Sequence, residues 1–313
     1  MKSIVIYYSM SGSTKNIAEA IQTGISQNGE QCDMARLKDV NERDLMGYDL
    51  IGLGSPVINQ KEPPNVTNFI EQRLVSVDGK HGFAFCTHGA YPGRYLQSVV
   101  PAMIQRGLIV IGWNNWFCNA VYPVIPKPYL TDGHPDATDL KEAEDFGREM
   151  LARSRRISLG ETQLIPTFPK GREYDEIYNP PETWPGVFEE VWEYGKVMRG
   201  SEFKVNTDKC KYPKCTYCID NCIAGNIGPS AAGPVFYNSC AYCFLCEQTC
   251  PQGAIEIDWV PLEIAHYRLI KAWLQKSLDG FEARGRFRRL VPPEDIGWDT
   301  PFWKKKPPRF KIP

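Results

Sequence analysis

Eight of the eleven cysteines of this 313-residue chain fall between Cys210 and Cys250, in two sets of four. The first runs Cys210-x4-Cys215-x2-Cys218-x3-Cys222, and the second runs Cys240-x2-Cys243-x2-Cys246-x3-Cys250 and is followed by Pro251. Cys215, Cys218 and Cys222 recur 28 positions later as Cys243, Cys246 and Cys250, whereas Cys210 recurs 30 later as Cys240. The flanks repeat as well: "CIAGNI" matches "CPQGAI", and "FKVNTDKC" echoes "PVFYNSC". The segment is therefore a duplicated unit with two residues inserted in the first interval of its first copy. Thiols clustered in this way hold metal centres or pair as disulfides. A chain of this length with a core-forming first half makes a disulfide scaffold the poorer reading. Two four-thiolate zinc sites and two iron–sulfur clusters are the metal alternatives, and zinc sites rarely space their ligands as the second set does. Cys32, Cys86 and Cys118 stand apart and are expected to be small buried apolar residues.

A second constellation lies near the start. Ser9-Met10-Ser11-Gly12-Ser13-Thr14 follows an apolar run and precedes an amphipathic stretch. Hydroxyls and free backbone N–H groups at a helix N-terminus make an anion site, because the unsatisfied amides and the helix dipole both favour a phosphate there. A serine-rich capped turn has the same composition.

These groups need elements to position them. Residues 3–9 read as a strand, and 14–27 as a helix with Ile17, Ala20, Ile21 and Ile25 on one face. "CDMARLK", "YDLIGLGS", "KHGFAFCTH" and "GLIVIGWNNWF" read as further strands. "PNVTNFIEQRLV", "GRYLQSVVPAMIQR" and "TDLKEAEDFGREMLARS" read as helices. Alternating strands and helices with continuous apolar strands imply an α/β domain with a parallel sheet covered on both faces. Residues 156–203 form a Pro- and aromatic-rich connector, expected to pack across two domains and to hold one helix ending at Gly200. Residues 204–260 carry the cysteines, and 261–313 comprise an amphipathic helix and a basic, Pro-rich extension.

The first 155 residues resemble the flavodoxins. That family's FMN-phosphate loop reads S/T-x-S/T-G-x-T, which Ser9, Ser11, Gly12 and Thr14 match throughout. "GSPVINQKEPP" (54–64) resembles its second flavin loop and "CTHGAYPGR" (86–94) its third. The resemblance implies a doubly wound five-stranded sheet in the order 2-1-3-4-5, with the ligand at the C-terminal ends of the strands. It implies that Ser9, Met10, Ser11, Gly12, Ser13 and Thr14 hold the phosphate of FMN. Ser55, Pro56, Val57, Ile58 and Asn59 would then run past the ring, and Thr87, His88, Gly89 and Tyr91 would close its other side, with Tyr91 placed to stack. Val57 and Ile58 stand where some members carry an aromatic, and Lys15 where an acid is common.

The second cysteine set resembles the bacterial two-cluster ferredoxins, in which three thiolates of one run hold one [4Fe–4S] cube and the fourth ligates the other. That resemblance implies a small α+β domain with Cys210, Cys215, Cys218 and Cys250 on one cluster and Cys240, Cys243, Cys246 and Cys222 on the other. Ile223 stands where a proline usually follows the fourth cysteine.

Jointly these features resemble flavodoxin/ferredoxin fusion proteins and imply a cytoplasmic, anaerobic electron carrier that relays electrons between FMN, two clusters and a redox partner protein or enzyme. The alternative is an FMN-dependent reductase of a small organic substrate, fed by the clusters. No catalytic residue is singled out. The segment 113–130 is long for a loop before the last helix of the sheet domain. It suits a substrate pocket, a shield over the flavin or a homodimer interface. With 36 basic and 37 acidic side chains nothing favours nucleic acid, and no apolar run approaches the roughly 20 residues of a membrane span. The basic extension suits either an arm lying on a subunit or an acidic redox partner.

Overall fold

The computed structural model describes residues 1–75, 77–179, 188–300 and 311–313, apart from the side chains of Asn28 and Phe188. Part of the connector, 180–187, and part of the basic extension, 301–310, lie outside the described residues. The chain divides into two compact units. One comprises Met1–Asn119 and Gly133–Asn179 with the terminal Pro313, and the other comprises Ala120–Asp132 and Pro180–Ile312.

In the first unit, strands β1 (Lys2–Tyr7), β2 (Gln31–Arg36), β3 (Leu50–Pro56), β4 (His81–His88) and β5 (Ile109–Phe117) form one parallel sheet in the order β2-β1-β3-β4-β5. This is the order that the flavodoxin resemblance implies. Helices α1 (Ser13–Ile25) and α4 (Ala137–Ser158) cover one face with a core of Val5, Ile17, Ile21, Phe83, Phe85, Trp116 and Phe146. Helices α2 (Pro64–Asn68) and α3 (Tyr95–Gln105) cover the other over Ile4, Ile6, Ile51, Leu53, Val66, Phe69 and Val99. β3 accommodates the rings of β4 because it carries Gly52 and Gly54 where Phe83 and Phe85 lie.

On the first face the helices meet at glycine. A Cβ at Gly24 would overlap the carbonyl of Glu144, and one at Gly147 would overlap the carbonyl of Ile21. The start of α4 is fixed by Asp136, whose Oδ1 accepts from the amides of Thr138 (2.9 Å) and Asp139 (3.2 Å), while the Asp139 carboxylate accepts the Asp136 amide in return.

Three segments differ from expectation. The helix expected over 64–75 is α-helical only to Asn68 and continues as a wider π-turn over Phe69–Arg73. The connector holds a further helix, α5 (Arg172–Tyr178), beside the one expected to end near Gly200. Its residues up to Asn179 belong to the first unit, where Phe168 and Tyr174 are buried in the core over α2 and α3. Finally, the chain leaves the sheet after Asn119, contributes 120–132 to the second unit and returns at Gly133. The Asn119 amide donates to the His134 carbonyl (2.8 Å) and the Gly133 amide to Asn119 Oδ1 (2.9 Å), which closes a neck at the base of this excursion.

The second unit contains α6 (Phe188–Arg199), two-stranded ladders β6 (Lys204–Val205) with β9 (Ile255–Glu256) and β7 (Ile227–Gly228) with β8 (Val235–Phe236), and short helices α7 (Tyr217–Asp220) and α8 (Leu245–Thr249). It closes with α9 (Trp259–Leu269), a π-turn over Ile270–Leu274 and α10 (Gln275–Ala283). Among the described residues no helix is long and apolar enough to cross a membrane.

Candidate functional site

Residues Ser9 to Thr14, the candidate phosphate loop, run from the end of β1 into the start of α1. Gly12 caps α1 at φ 107°, in the left-handed region open to glycine, and its amide donates to Ser9 Oγ at 3.1 Å. No side chain caps the helix and no acid sits in its first turn, so the remaining N-terminal amides have no anionic partner of their own. Ser9, Met10 and Thr14 are buried, Gly12 and Ser13 half-buried and Ser11 exposed. Lys15 is 3.4 Å from Glu19, which offsets part of its charge.

Thr14 Oγ1 lies 2.8 Å from Thr87 Oγ1, which joins this loop to the third one at the end of β4. Behind the pair sits Cys118. Its thiol hydrogen-bonds with Thr87 and Ser13, and burial pushes its pKa up to about 12. Cys32, Cys86 and Cys118 are all buried, as expected, and Cys118 also bonds to Ser13 at the start of α1.

The second loop is a tight turn. Val57 N–H donates to the Thr87 carbonyl (2.8 Å), and Ile58 and Lys61 exchange backbone bonds across Asn59 and Gln60, which both have positive φ (48° and 71°). Ser55 Oγ donates to the Tyr95 hydroxyl at 3.2 Å, and Pro56 ends β3. Ile58 is buried, Pro56 and Val57 half-buried and Asn59 exposed.

The third loop is clasped from two sides. Arg94 N–H donates to the Gln60 carbonyl (2.6 Å), tying it to the second loop. The connector supplies the other side: the Tyr174 hydroxyl (2.8 Å) and Asn179 Nδ2 (3.2 Å) both donate to the Gly93 carbonyl. Within the loop Gly89 is half-buried and Tyr91 is 8 % exposed, leaving little of its ring facing open space. His88 is buried with Nε2 2.8 Å from Asn115 Oδ1 and its ring edge-on to Phe117 at 4.6 Å. Desolvation by burial lowers its pKa to about 4; the Asn115 bond opposes this and nearby His134 adds to it. The imidazole is therefore neutral at pH 7.

In the second unit cysteines of the two sequence sets neighbour one another. Cys250 packs among Cys210, Cys218 and Cys246 over Ala254 and Ile255. The Cys218 thiol is pushed up to about 11, first by burial and then by neighbouring Cys250, with Cys210 adding. Cys243 is pushed up to about 12 by burial and by Cys240 and Cys222. Cys246 is raised well above the ordinary range by burial and then by Cys243, Cys240, Cys222 and Cys218 in turn. So Cys222 neighbours the second set, and Cys250 neighbours Cys210 and Cys218 of the first as well as Cys246. The amide of Cys215 donates to the Lys211 carbonyl at 3.1 Å, which anchors the inserted loop.

The duplication is visible in the bonds to sulfur. Asn226 N–H donates to Cys222 Sγ at 3.1 Å, and Ala254 N–H, 28 residues on, donates to Cys250 Sγ at 3.3 Å. Gly225 and Gly253, both at φ 59°, make each turn possible. Tyr242 N–H donates to Cys240 Sγ at 3.3 Å. Among the described residues no three His, Cys, Asp or Glu side chains converge closely enough to bind a single metal ion.

Sequence reasoning passed over Cys118, Asn115, Tyr174 and Asn179. The aromatics of the connector were the one available signal for the last two. The other two lie on or beside β5, where a buried polar residue looks like any core residue until its neighbours are known.

A flavodoxin-domain family model matches residues 4–101. The flavodoxin of Clostridium beijerinckii is 23% identical over 148 residues, which is 47% of this chain and 96% of that protein. That of Megasphaera elsdenii is 25% identical over 141 residues, 44% of this chain and 95% of that protein. Among solved structures, an archaeal flavodoxin covers 50% of this chain and 99% of its own, with 26% identity and a TM-score of 0.43. The family model and the two sequence relatives, with the sheet order, support a flavodoxin-like domain in the first unit.

Proposed function

We propose that the protein is an electron carrier that holds FMN in its first unit and two [4Fe–4S] clusters in a ferredoxin-like second unit, and that exchanges electrons with a redox partner protein. The flavin reading rests on the flavodoxin-like domain and on a phosphate loop whose helix amides lack an anionic partner. Ser9 to Thr14 would hold the phosphate, and Ser55 to Asn59 and Thr87 to Tyr91 would flank the ring.

What supports the iron–sulfur reading is the mixing of the two cysteine sets: Cys250 neighbours Cys210 and Cys218 as well as Cys246, and Cys222 neighbours Cys240, Cys243 and Cys246. Two zinc sites would bring four sulfurs around each of two points. A cube takes one thiolate per iron and spreads its ligands, which suits thiols that neighbour one another without converging on one ion. Burial first, and neighbouring thiols after it, raise the pKa of Cys218, Cys240, Cys243 and Cys246, so a cationic centre would draw these out as thiolates. The amides on Cys222, Cys240 and Cys250 would then stabilise that sulfur charge.

Bound together, a flavin takes electrons singly or in pairs and each cluster takes them one at a time, so the chain would convert between the two regimes. The reductase alternative drew on segment 113–130. Most of that segment now has another role, since Val124 packs with Phe244, Trp259 and Leu262 in the core of the second unit.

Anaerobic purification with metal, sulfide and flavin analysis tests the proposal. It expects about eight iron and about eight acid-labile sulfides per chain with one FMN. Tightly bound zinc without labile sulfide would overturn it.

A further inference from the structure

Near its start the excursion 120–132 meets the loop that carries the second cysteine set. The Tyr122 hydroxyl donates to the Tyr242 carbonyl at 2.9 Å. Its ring stands edge-on to Phe244 at 5.5 Å and lies 5.8 Å from His266, which itself stacks on Tyr194 at 5.0 Å. Tyr242 and Phe244 occupy the gaps of Cys240-x2-Cys243-x2-Cys246, and both have left-handed backbones, at φ 49° and 55°. Side chains other than glycine hold that conformation only when their surroundings impose it. Phe244 is held by burial, at 1 % exposure among Tyr122, Phe203 and Trp259. Tyr242 is held through its polar groups: its carbonyl takes the Tyr122 bond, and its own hydroxyl donates to the Arg199 carbonyl at 3.1 Å. So fixed, it aims its amide at Cys240 Sγ.

The excursion is itself anchored. Lys127 Nζ reaches Asp132 (2.8 Å) and the Ala120 carbonyl (3.2 Å), so one side chain ties its two ends together. From the C-terminal segment Gly297 N–H bonds to the Pro128 carbonyl (3.0 Å) and Thr300 Oγ1 to the Lys127 carbonyl (2.8 Å).

We infer that segment 120–132 is a clamp on the ligand loop of the second cluster, with Tyr122 the positioning residue that sets the Tyr242 amide on the Cys240 sulfur. The part concerning the cluster rests on the iron–sulfur reading. A donor on a ligating sulfur governs how firmly that sulfur holds its iron and at what potential the centre works. The clamp thus acts on one centre of two.

The test is Tyr122→Phe in the full chain, loaded and handled without oxygen, beside the parent, Cys246→Ser and Tyr217→Phe. The last removes a hydroxyl near the first set, where it accepts the Ile312 amide at 3.0 Å. Loss of one hydrogen bond predicts about fivefold faster hydrogen exchange at the amides of 241–244 in Tyr122→Phe. Iron and sulfide content should match the parent. The centre whose spectrum Cys246→Ser alters should lose iron to a chelator about fivefold faster, while the other keeps its rate. Tyr217→Phe should leave exchange at 241–244 unchanged. Parental exchange in Tyr122→Phe overturns the clamp. Faster exchange with parental iron loss from both centres overturns its action on the cluster. A parent without iron overturns the iron–sulfur reading, and exchange at 241–244 then decides the clamp by itself.

Discussion

Thr14 on the first turn of α1 and Thr87 near the end of β4 face each other with their hydroxyl oxygens 2.8 Å apart. One contact therefore joins the loop proposed for the phosphate to a loop proposed for the ring, and Cys118 backs both. Replacing both Ser11 and Thr14 by Ala removes hydroxyls from the loop and frees Thr87. FMN should bind about tenfold or more weakly, from two lost hydrogen bonds of about 1 kcal/mol each. Titration by quenching of flavin fluorescence measures this. Parental affinity in the double variant would place the phosphate elsewhere.

The proposed crossing of Cys222 and Cys250 between the two clusters makes its own prediction. Cys222→Ser should damage the same centre as Cys246→Ser, and Cys250→Ser the same one as Cys218→Ser, since serine is a poorer ligand than thiolate for such a cluster. Low-temperature electron paramagnetic resonance of the reduced variants distinguishes the two signals. If Cys222→Ser and Cys218→Ser lose the same signal, the grouping is wrong.

His88 gives the first unit a pH dependence of known sign. Its folded pKa is about 4 against 6.5 for an ordinary imidazole, mainly because burial disfavours the cation. Between these values the unfolded chain binds the proton that the folded one refuses. The contribution is thus fully present above pH 6.5 and is lost as pH falls toward 4. Acidification from pH 7 to 4.5 should cost the domain on the order of a few kcal/mol through this group. His88→Gln should flatten the dependence in urea titrations at the two pH values, and an unchanged slope would rule His88 out as its source.

The contact between α1 and α4 leaves no room for a side chain. Gly147→Ala would press a methyl against the Ile21 carbonyl, and backbone cannot turn aside as a flexible side chain can. A loss of about 1–3 kcal/mol is expected, as for other overpacked sites. Denaturant unfolding followed by circular dichroism measures it, with Gly160→Ala unsuitable as a control because Gly160 has φ 102°. Stability equal to the parent would show that the helices separate at little cost.

How much of this was legible beforehand depended on whether the signal was local. The strands of the first unit announce themselves as apolar runs, and Ile17, Ile21 and Ile25 mark the buried face of α1 by their spacing alone. The phosphate loop and the cysteine sets are written in contiguous residues. The clasp on Gly93 is not, because Tyr174 and Asn179 lie 81 and 86 positions away in a stretch whose prolines suggest a mere connector. Tyr122 is hidden in the same way, since its partner Tyr242 is 120 residues distant. The π-turns at Phe69–Arg73 and Ile270–Leu274 are not read from the sequence either, since short wide turns have no residue signature of their own.

The neck at Asn119 bears on how such a protein can be taken apart. Because Gly133 and His134 are both bonded to Asn119, the excursion starts and finishes at neighbouring points. Everything between them could be exchanged for a short turn without cutting a strand or a helix of the sheet domain. Excision at Asn179 rather than at residue 155 would also keep Tyr174 and Asn179 on the Gly93 carbonyl. The flavodoxin-like half is in that sense detachable by two edits to the gene, whereas the cysteine-bearing half would leave Tyr122 behind unless the excursion travelled with it.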